Sequence, residues 1–518
     1  MGRVQAAKKN IIFGYLGQIM TALMSFVLQH LFIRYLDQEY LGVNGYYTSV
    51  LSILNMAELG IGTALTYSLY GPVARGDKEK IKSYMQMYRK TYSYIGCIVC
   101  IVGLILAPFI RYLIEEPAID TLTYTDLTIF YLIFLFNTVS SYFVAYKYSI
   151  AIAEQKNYIQ NNVITITKIV SVTVQIAVLA VTKNFLMFLI ADAVVQLLQK
   201  IIVSIYLDRM YPILKEKNIE PLSKEETDTV WNKTKALALH KIGDSARLQT
   251  DAMIIGKVLG MGVQGAVSNY NMVINTVSNF ANIIFNSAIS GFGNLIATDT
   301  KEKQYSTFKT YKFLASWIYG FSAVGFLLLM NSFVDLFVQL AGKDSKGWVL
   351  EPWAVYLIII DYYFKGERIV LSNYKTAAGV FEQDKYLAII QGVVNLILSI
   401  WLVNTRLGII GIYIGTVVSG LIANITKPII IYRACFDRSA AGYFVDLFKH
   451  LLTFCAVLIA CRGIKQYVMP ETTLPGFIIM VVIITVVFNG VYLLIYGRTE
   501  EFRYILARLR RGKNAGAN

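Results

Sequence analysis

Four ionisable side chains, His240, Asp244, Arg247 and Asp251, recur at intervals of four, three and four residues. At 100° per residue they fall within about 60° of one another on a helix. Such a face can pair its own ions, or it can offer a guanidinium to an anionic ligand with carboxylates to balance the charge. A second stripe, Asn161, Thr165, Lys168 and Gln175, carries a cation with no carboxylate one turn away, which favours a hydrated cavity or an anionic ligand around Lys168. Further stripes are Asp192, Gln196 and Gln199; Asn271, Asn275, Ser278, Asn282 and Asn286; Asp361, Lys365 and Arg368; and Asn55 with Glu58. Amides and hydroxyls at these spacings also serve as ordinary interhelical glue. Taken together they suit a polyhydroxylated substrate carrying phosphate, because Arg and Lys pair with phosphate oxygens by charge-assisted hydrogen bonds. Arg247, Lys168 and Lys241 are the candidate phosphate ligands, with Asp244, Asp251 and Asn275 beside them. Glu58, Asp361 and Asp192 are candidates for coupling H⁺ or Na⁺, or for balancing charge.

The elements that must position these residues are apolar. Of the 518 residues 56% are hydrophobic and only 16% charged, with a net charge of +15. A soluble enzyme of this size would need about 25% charged residues, so the chain reads as an all-α integral membrane protein. Spans are expected near 11–33, 44–70, 91–113, 126–146, 159–182, 185–206, 236–258, 266–290, 311–333, 352–373, 386–404, 407–432, 444–461 and 476–496, about 14 in all, each long enough to cross roughly 30 Å of hydrocarbon. An ionised side chain at mid-span costs about 2.5–3.5 kcal/mol on insertion scales, which makes Lys168 and Arg247 conspicuous. Lys200 and Lys427 are expected to snorkel from helix ends.

Charge distribution sets the expected orientation. Of the 48 basic residues, 34 fall in the two termini and the alternate loops on their side or in the parts of the spans adjoining them. The positive-inside rule places both termini in the cytoplasm, and this explains the net charge without nucleic-acid binding.

The chain also repeats itself. Ala74, Lys78, Glu79, Lys80, Ser83 and Tyr88 match Ala297, Lys301, Glu302, Lys303, Ser306 and Tyr311 at one constant offset. Tyr146, Lys147, Glu154, Gln155 and Tyr158 match Tyr374, Lys375, Glu382, Gln383 and Tyr386 at another. An even number of spans separates the copies, so they are parallel repeats related by an axis along the membrane normal, with substrate expected at their interface. The domains expected are an N-lobe (1–210), a cytoplasmic linker (211–235), a C-lobe (236–440), two extra helices (441–497) and a basic tail (498–518). In the tail Phe502, Ile505, Leu506 and Leu509 oppose Arg503, Arg508, Arg510 and Arg511, an amphipathic helix suited to anionic lipid.

Several chemistries have no foothold in the sequence. There is no G-x-x-x-x-G-K-[ST] phosphate loop, no H-E-x-x-H and no G-x-S-x-G. The G-x-G-x-x-G at Gly260–Gly265 follows a span rather than a strand and reads as a turn between helices. Gly411 and Gly415 form a small-xxx-small packing pair. The five cysteines have no metal or disulfide spacing. No cofactor is expected.

The segments LNMAELGIGTALTYSLYGP (54–72), KIGDSARLQTDAMII (241–255) and SNYNMVINTVSNFANIIFNSAISGFGNLIA (268–297), with the paired EQ-x-x-Y loops, resemble the bacterial polysaccharide-export, O-antigen (Wzx-type) flippases. These belong to the multidrug/oligosaccharidyl-lipid/polysaccharide (MOP) superfamily. The resemblance covers most of residues 1–435 and implies two six-helix lobes that alternate access around a central cavity. It implies movement of an undecaprenyl-pyrophosphate-linked oligosaccharide from the cytoplasmic to the outer leaflet of the bacterial cytoplasmic membrane. Polysaccharide polymerases and glycosyltransferases would be its partners. The two extra helices look like those that help accommodate the lipid tail in lipid II flippases. Cationic cavity residues of those relatives lie on the first, second, seventh and eighth helices. Here the first offers only His30 and Arg34 near its outer end, which leaves Lys168 as a substitute by position. Two alternatives are a cation-coupled multidrug exporter of the same superfamily and a membrane-embedded glycan polymerase or ligase.

Overall fold

The computed structural model describes residues 3–55, 61–114, 122–216, 219–228, 230–231, 249–380, 383 and 386–515. Its regular structure is helical. Ten helices among the described residues are long and apolar enough to cross a membrane, so this is a multi-pass membrane protein. The chain divides into two compact units, Met1–Met272 and Val273–Asn518.

The first unit contains α1 (Arg3–Tyr35), α2 (Gln38–Leu54), α3 (Ile61–Arg75), α4 (Lys78–Leu106), α5 (Tyr124–Ala153), α6 (Tyr158–Thr182) and α7 (Phe185–Met210). Local chemistry sets the helix ends. A capping box of Thr123 and Asp126 starts α5, satisfying orphan amides at its N-terminus. Lys183 in the left-handed conformation ends α6, and the Asn184 side chain accepts from the Met187 amide to start α7. So short a turn makes α6 and α7 antiparallel neighbours.

Buried tyrosines bind these helices together. Tyr47 of α2 donates to the Leu127 carbonyl of α5 at 2.8 Å, and Tyr131 of α5 to Gly103 of α4 at 3.0 Å. Tyr88 of α4 donates to the Leu65 carbonyl of α3. In hydrocarbon a phenol has no water to bond, so the second lone pair of a helical carbonyl becomes its partner.

The linker is tied to the start of α4. Lys80 reaches Glu226 at 2.5 Å, Lys82 reaches Glu216 at 2.5 Å, and the Ser83 hydroxyl donates to the Glu220 carbonyl at 2.6 Å. The Lys80 ammonium holds the Glu226 carboxyl below the usual carboxylate range.

Residues 249–254 are helical and run into a π-helical turn, Ile255–Leu259, before Gly260 (φ +89°) turns the chain into α8 (Met261–Thr298). The Gly260–Gly265 motif is therefore structural. A Cβ on Gly265 would lie 2.1 Å from the Gln38 carbonyl, and one on Gly42 would lie 1.8 Å from that of Met261. Only glycine admits that approach.

The second unit is built around the long α9 (Lys301–Leu340). It contains α10 (Pro352–Glu367), α11 (Ile369–Ala378), α12 (Leu387–Val403), α13 (Ile409–Phe436), α14 (Ala441–Val468), α15 (Leu474–Tyr496) and α16 (Glu500–Ala515). The four expected spans beyond the ten fall on α2 and α3, on residues 236–258, on α10 and α11, and on α12.

The glycine pair on α13 packs as expected. A Cβ on Gly411 would meet the Leu402 backbone at 2.7 Å, and one on Gly415 the Ser399 hydroxyl at 2.6 Å. Gly411→Val is expected to force α12 from α13 and destabilise the protein by about 1–3 kcal/mol, the cost of overpacking. Thermal unfolding in detergent should show this against Gly463→Ala, where a Cβ meets open space.

The last helices pack on α9 through aromatic rings. Trp317 stacks on Tyr492 at 5.9 Å and donates to the Asn489 side chain at 2.9 Å, while the His450 ring lies 5.9 Å from Phe313 of α9. The tail helix α16 turns Phe502 inward to the Trp317 ring at 5.7 Å, and Glu501 pairs with Lys309 at 3.0 Å. Tyr504 and Leu506 of the same helix are exposed.

Candidate functional site

A cavity of about 470 Å³ lies within the first unit, walled by α1, α2, α5, α6 and α7. Half of its lining residues carry an amide or a hydroxyl, and Leu28, Ile133, Phe134, Phe188 and Leu189 supply apolar surface. The α2 wall contributes Asn44 and, at its C-terminal end, Asn55; α5 contributes Asn137, Thr138 and Ser141; α6 contributes Ser171 and Gln175; α7 contributes Gln196. Three charged groups join them, Lys168 from α6 and Asp192 and Lys200 from α7. Helical periodicity puts them there. Lys168, Ser171 and Gln175 are spaced by three and four, as are Asp192, Gln196 and Lys200.

The three charges are held differently. Lys200 is buried and donates to the Asn137 carbonyl and the Ser140 hydroxyl, both at 2.7 Å. It does not snorkel: about 15 Å of helix separates it from the end of α7 at Met210, beyond the reach of a lysine. Lys427 is buried as well. Asp192 accepts a hydrogen bond from the Ser171 hydroxyl. Half-buried Lys168 makes no hydrogen bond or ion pair with any described residue, although the field of Asp192 reaches it. The Asn137 side-chain oxygen is buried and has no donor. Among the described residues the site thus offers one uncommitted cation, an unfilled acceptor and a net charge of +1 amid neutral polar groups. Such a lining can hold an anion and accept hydrogen bonds from hydroxyls.

The sequence candidates divide between places. Lys168 and Asp192 meet in this cavity. Asn161 and Thr165 of the same α6 stripe instead pack on α1, where a Cβ on Gly17 would lie 2.5 Å from the Thr165 hydroxyl. Asp361 is nearly buried and pairs with Lys365 one turn on, at 2.6 Å. Asn275 is exposed on α8, in the second unit. Asp251 is half-buried and engaged with a partner. Glu58, Lys241, Asp244 and Arg247 lie outside the described residues.

Two groups escaped the sequence reading. Asn137, Thr138 and Ser141 stand at i, i+1 and i+4 in the apolar run of α5, a spacing that marks a polar strip. Glu367 is 1% exposed and accepts from Ser316 at 2.8 Å. Lys312 and Ser316, one turn apart on α9, were its only sign.

The sequence matches the polysaccharide biosynthesis protein family over residues 7–290, more than half of the chain. The chain belongs to this family. Its fold is that of the MOP-superfamily transporters. It is similar to a structure described as "Lipid II flippase MurJ, inward closed conformation" (TM-score 0.68, 13% identity, 94% of this chain and 99% of that one). It is also similar to an inward-facing multidrug resistance MATE family transporter of the MOP superfamily (TM-score 0.61, 16% identity, 80% and 96%). A MATE transporter of Vibrio cholerae, VcmN, matches with TM-score 0.58 and 12% identity, covering 84% of this chain and 98% of that one. No curated protein matches the sequence significantly. Among the described residues, the polar cavity around Lys168 is one whose charge and hydrogen-bonding groups suit an anionic, hydroxyl-bearing ligand.

Proposed function

We propose that the chain is a flippase for an undecaprenyl-pyrophosphate-linked oligosaccharide in cell-surface polysaccharide biosynthesis. It sits in the bacterial cytoplasmic membrane with 14 spans and both termini in the cytoplasm. By alternating access the sugar head passes from the cytoplasmic to the outer leaflet while the prenyl chain stays in lipid. Lys168, and with it Arg247 and Lys241, binds the diphosphate; Asp192, Asp244, Asp251, Glu58 and Asp361 balance that charge or couple H⁺ or Na⁺. Asn275 and the cavity amides meet sugar hydroxyls. Polysaccharide polymerases and glycosyltransferases act beside it, and the basic tail meets anionic lipid.

The observation that carries this reading is the uncommitted Lys168 ammonium in an amide- and hydroxyl-lined cavity. A positive charge there repels the cationic substrates of a drug exporter and attracts diphosphate. The exporter reading draws on the MATE likeness and on the carboxylate of Asp192. Reconstitution decides between them. Proteoliposomes should expose a fluorescent undecaprenyl-diphosphate sugar to an outside quencher faster than protein-free vesicles do, and cells expressing the protein should gain no resistance to cationic dyes. Dye resistance without lipid flipping would reverse the assignment.

A further inference from the structure

The wall between α5 and α7 has a second face. On the outside of the first unit these two helices form an apolar groove of about 310 Å³. From α5 come Ile129, Leu132 and Phe136, and from α7 come Ile190, Val194 and Leu197, all exposed. On each helix the groove residues follow i, i+3/i+4 and i+7, while the neighbouring faces carry Asn137 and Ser141, and Asp192 and Gln196, into the polar cavity. Ile133 lines both spaces, so groove and cavity adjoin at one side chain.

Resting on the function proposed above, we propose that this groove seats the first part of the substrate's polyprenyl chain while the diphosphate lies against Lys168. An amphiphile whose head is in the cavity must send its chain out where polar and apolar surfaces adjoin, and the Ile133 seam is such a place. The residues 129–136 span about 10 Å of helix, enough to align the start of a chain.

Depth selects the occupant. Lys168 is near the middle of α6 (Tyr158–Thr182). A resident phospholipid keeps its phosphate in the interface, about 15 Å from the bilayer centre. The phosphate that reaches Lys168 is therefore one carried into the membrane on a transported lipid. This places a chain contact on the N-terminal unit, apart from α14 and α15, whose contact with α9 is filled by aromatic rings.

The test is photocrosslinking of the full chain in nanodiscs with a polyprenyl diphosphate bearing a diazirine in its first isoprene units. Labels should concentrate on residues 129–136 and 190–197. Ala193→Trp, which fills the groove, should reduce them about fivefold to tenfold, the factor for burying roughly 50 Å² less apolar surface. Val181→Trp, on an α6 position 85% exposed, should leave labelling and thermal stability unchanged and so control for misfolding. Excess polyprenyl phosphate should compete and excess phosphatidylglycerol should not. Labels spread evenly over the lipid-facing helices, or equal competition by phosphatidylglycerol, would overturn the proposal. Farnesyl diphosphate affinity measured in parallel separates the two claims. Retained affinity with labels elsewhere removes the groove alone, whereas absent affinity removes the function on which it rests.

Discussion

Lys168→Gln is expected to slow lipid-linked oligosaccharide flipping by about 10- to 100-fold while the protein still inserts and folds. Hydrogen bonds to charged groups contribute about 1.5–3 kcal/mol, and Lys168 has no described hydrogen-bond or ion-pair partner that its loss would strand. Removing a mid-depth charge also relieves an insertion cost, so yield and melting temperature should hold or rise. Lys168→Arg keeps the charge and should retain much of the rate, limited by the different geometry of its fork. Lys200→Gln should behave otherwise. It replaces a buried ammonium held by the Asn137 carbonyl and the Ser140 hydroxyl with a shorter, neutral amide, so its first effect is on stability. The quencher assay on matched proteoliposomes, with a melting curve for each variant, reads both. Wild-type flipping by well-folded Lys168→Gln would exclude Lys168 from the transport path.

Lys312→Met is expected to destabilise the protein by about 3–5 kcal/mol, the cost of leaving a buried charge without its counterpart. Lys312 is 2% exposed; it donates to the Tyr443 carbonyl at 3.0 Å, lies 3.9 Å from the centre of that ring and 3.9 Å from Asp446. Its positive field also acts on Glu367, whose direct bond is to the Ser316 hydroxyl. Without the ammonium, Glu367 is a desolvated carboxylate facing Asp446 as well. Combining Lys312→Met with Glu367→Gln should therefore recover much of the loss, because a neutral amide can still bond Ser316. Unfolding in detergent of the wild type, both single variants and the double variant gives the coupling between the sites. Equal stability of Lys312→Met and wild type would mean that the lysine does not hold this junction of α9, α10 and α14 together.

The helical architecture and part of the site were legible in the sequence, because both follow from periodicity. The stripe through Lys168 and Gln175 and the stripe through Asp192 and Gln196 each named one face of one helix, and those faces meet in the cavity. Periodicity does not say which neighbour a face will meet. Asn161 and Thr165 share the Lys168 stripe yet pack on α1, because Gly17 opens a seat for Thr165 there. Lys200 resembled a snorkelling lysine, but what holds it is a backbone carbonyl of α5, and a carbonyl leaves no mark in a sequence. Glu367 sits in the charged run KGER, which by itself gives no sign of burial, whereas Ser316 and the field of Lys312 hold it from α9. The Gly411 and Gly415 pair was easier to read, since small residues four apart in an apolar helix have few uses besides close packing.

The central claim is that the Lys168 charge recognises a lipid diphosphate. The most direct measurement is the affinity of purified protein in nanodiscs for farnesyl diphosphate and for uncharged farnesol, in wild type and in Lys168→Gln. The wild type should prefer the diphosphate by about 10-fold or more, a preference that falls with added salt and largely disappears in Lys168→Gln. Equal affinities for the two ligands in wild type, or an undiminished preference in the variant, would contradict it.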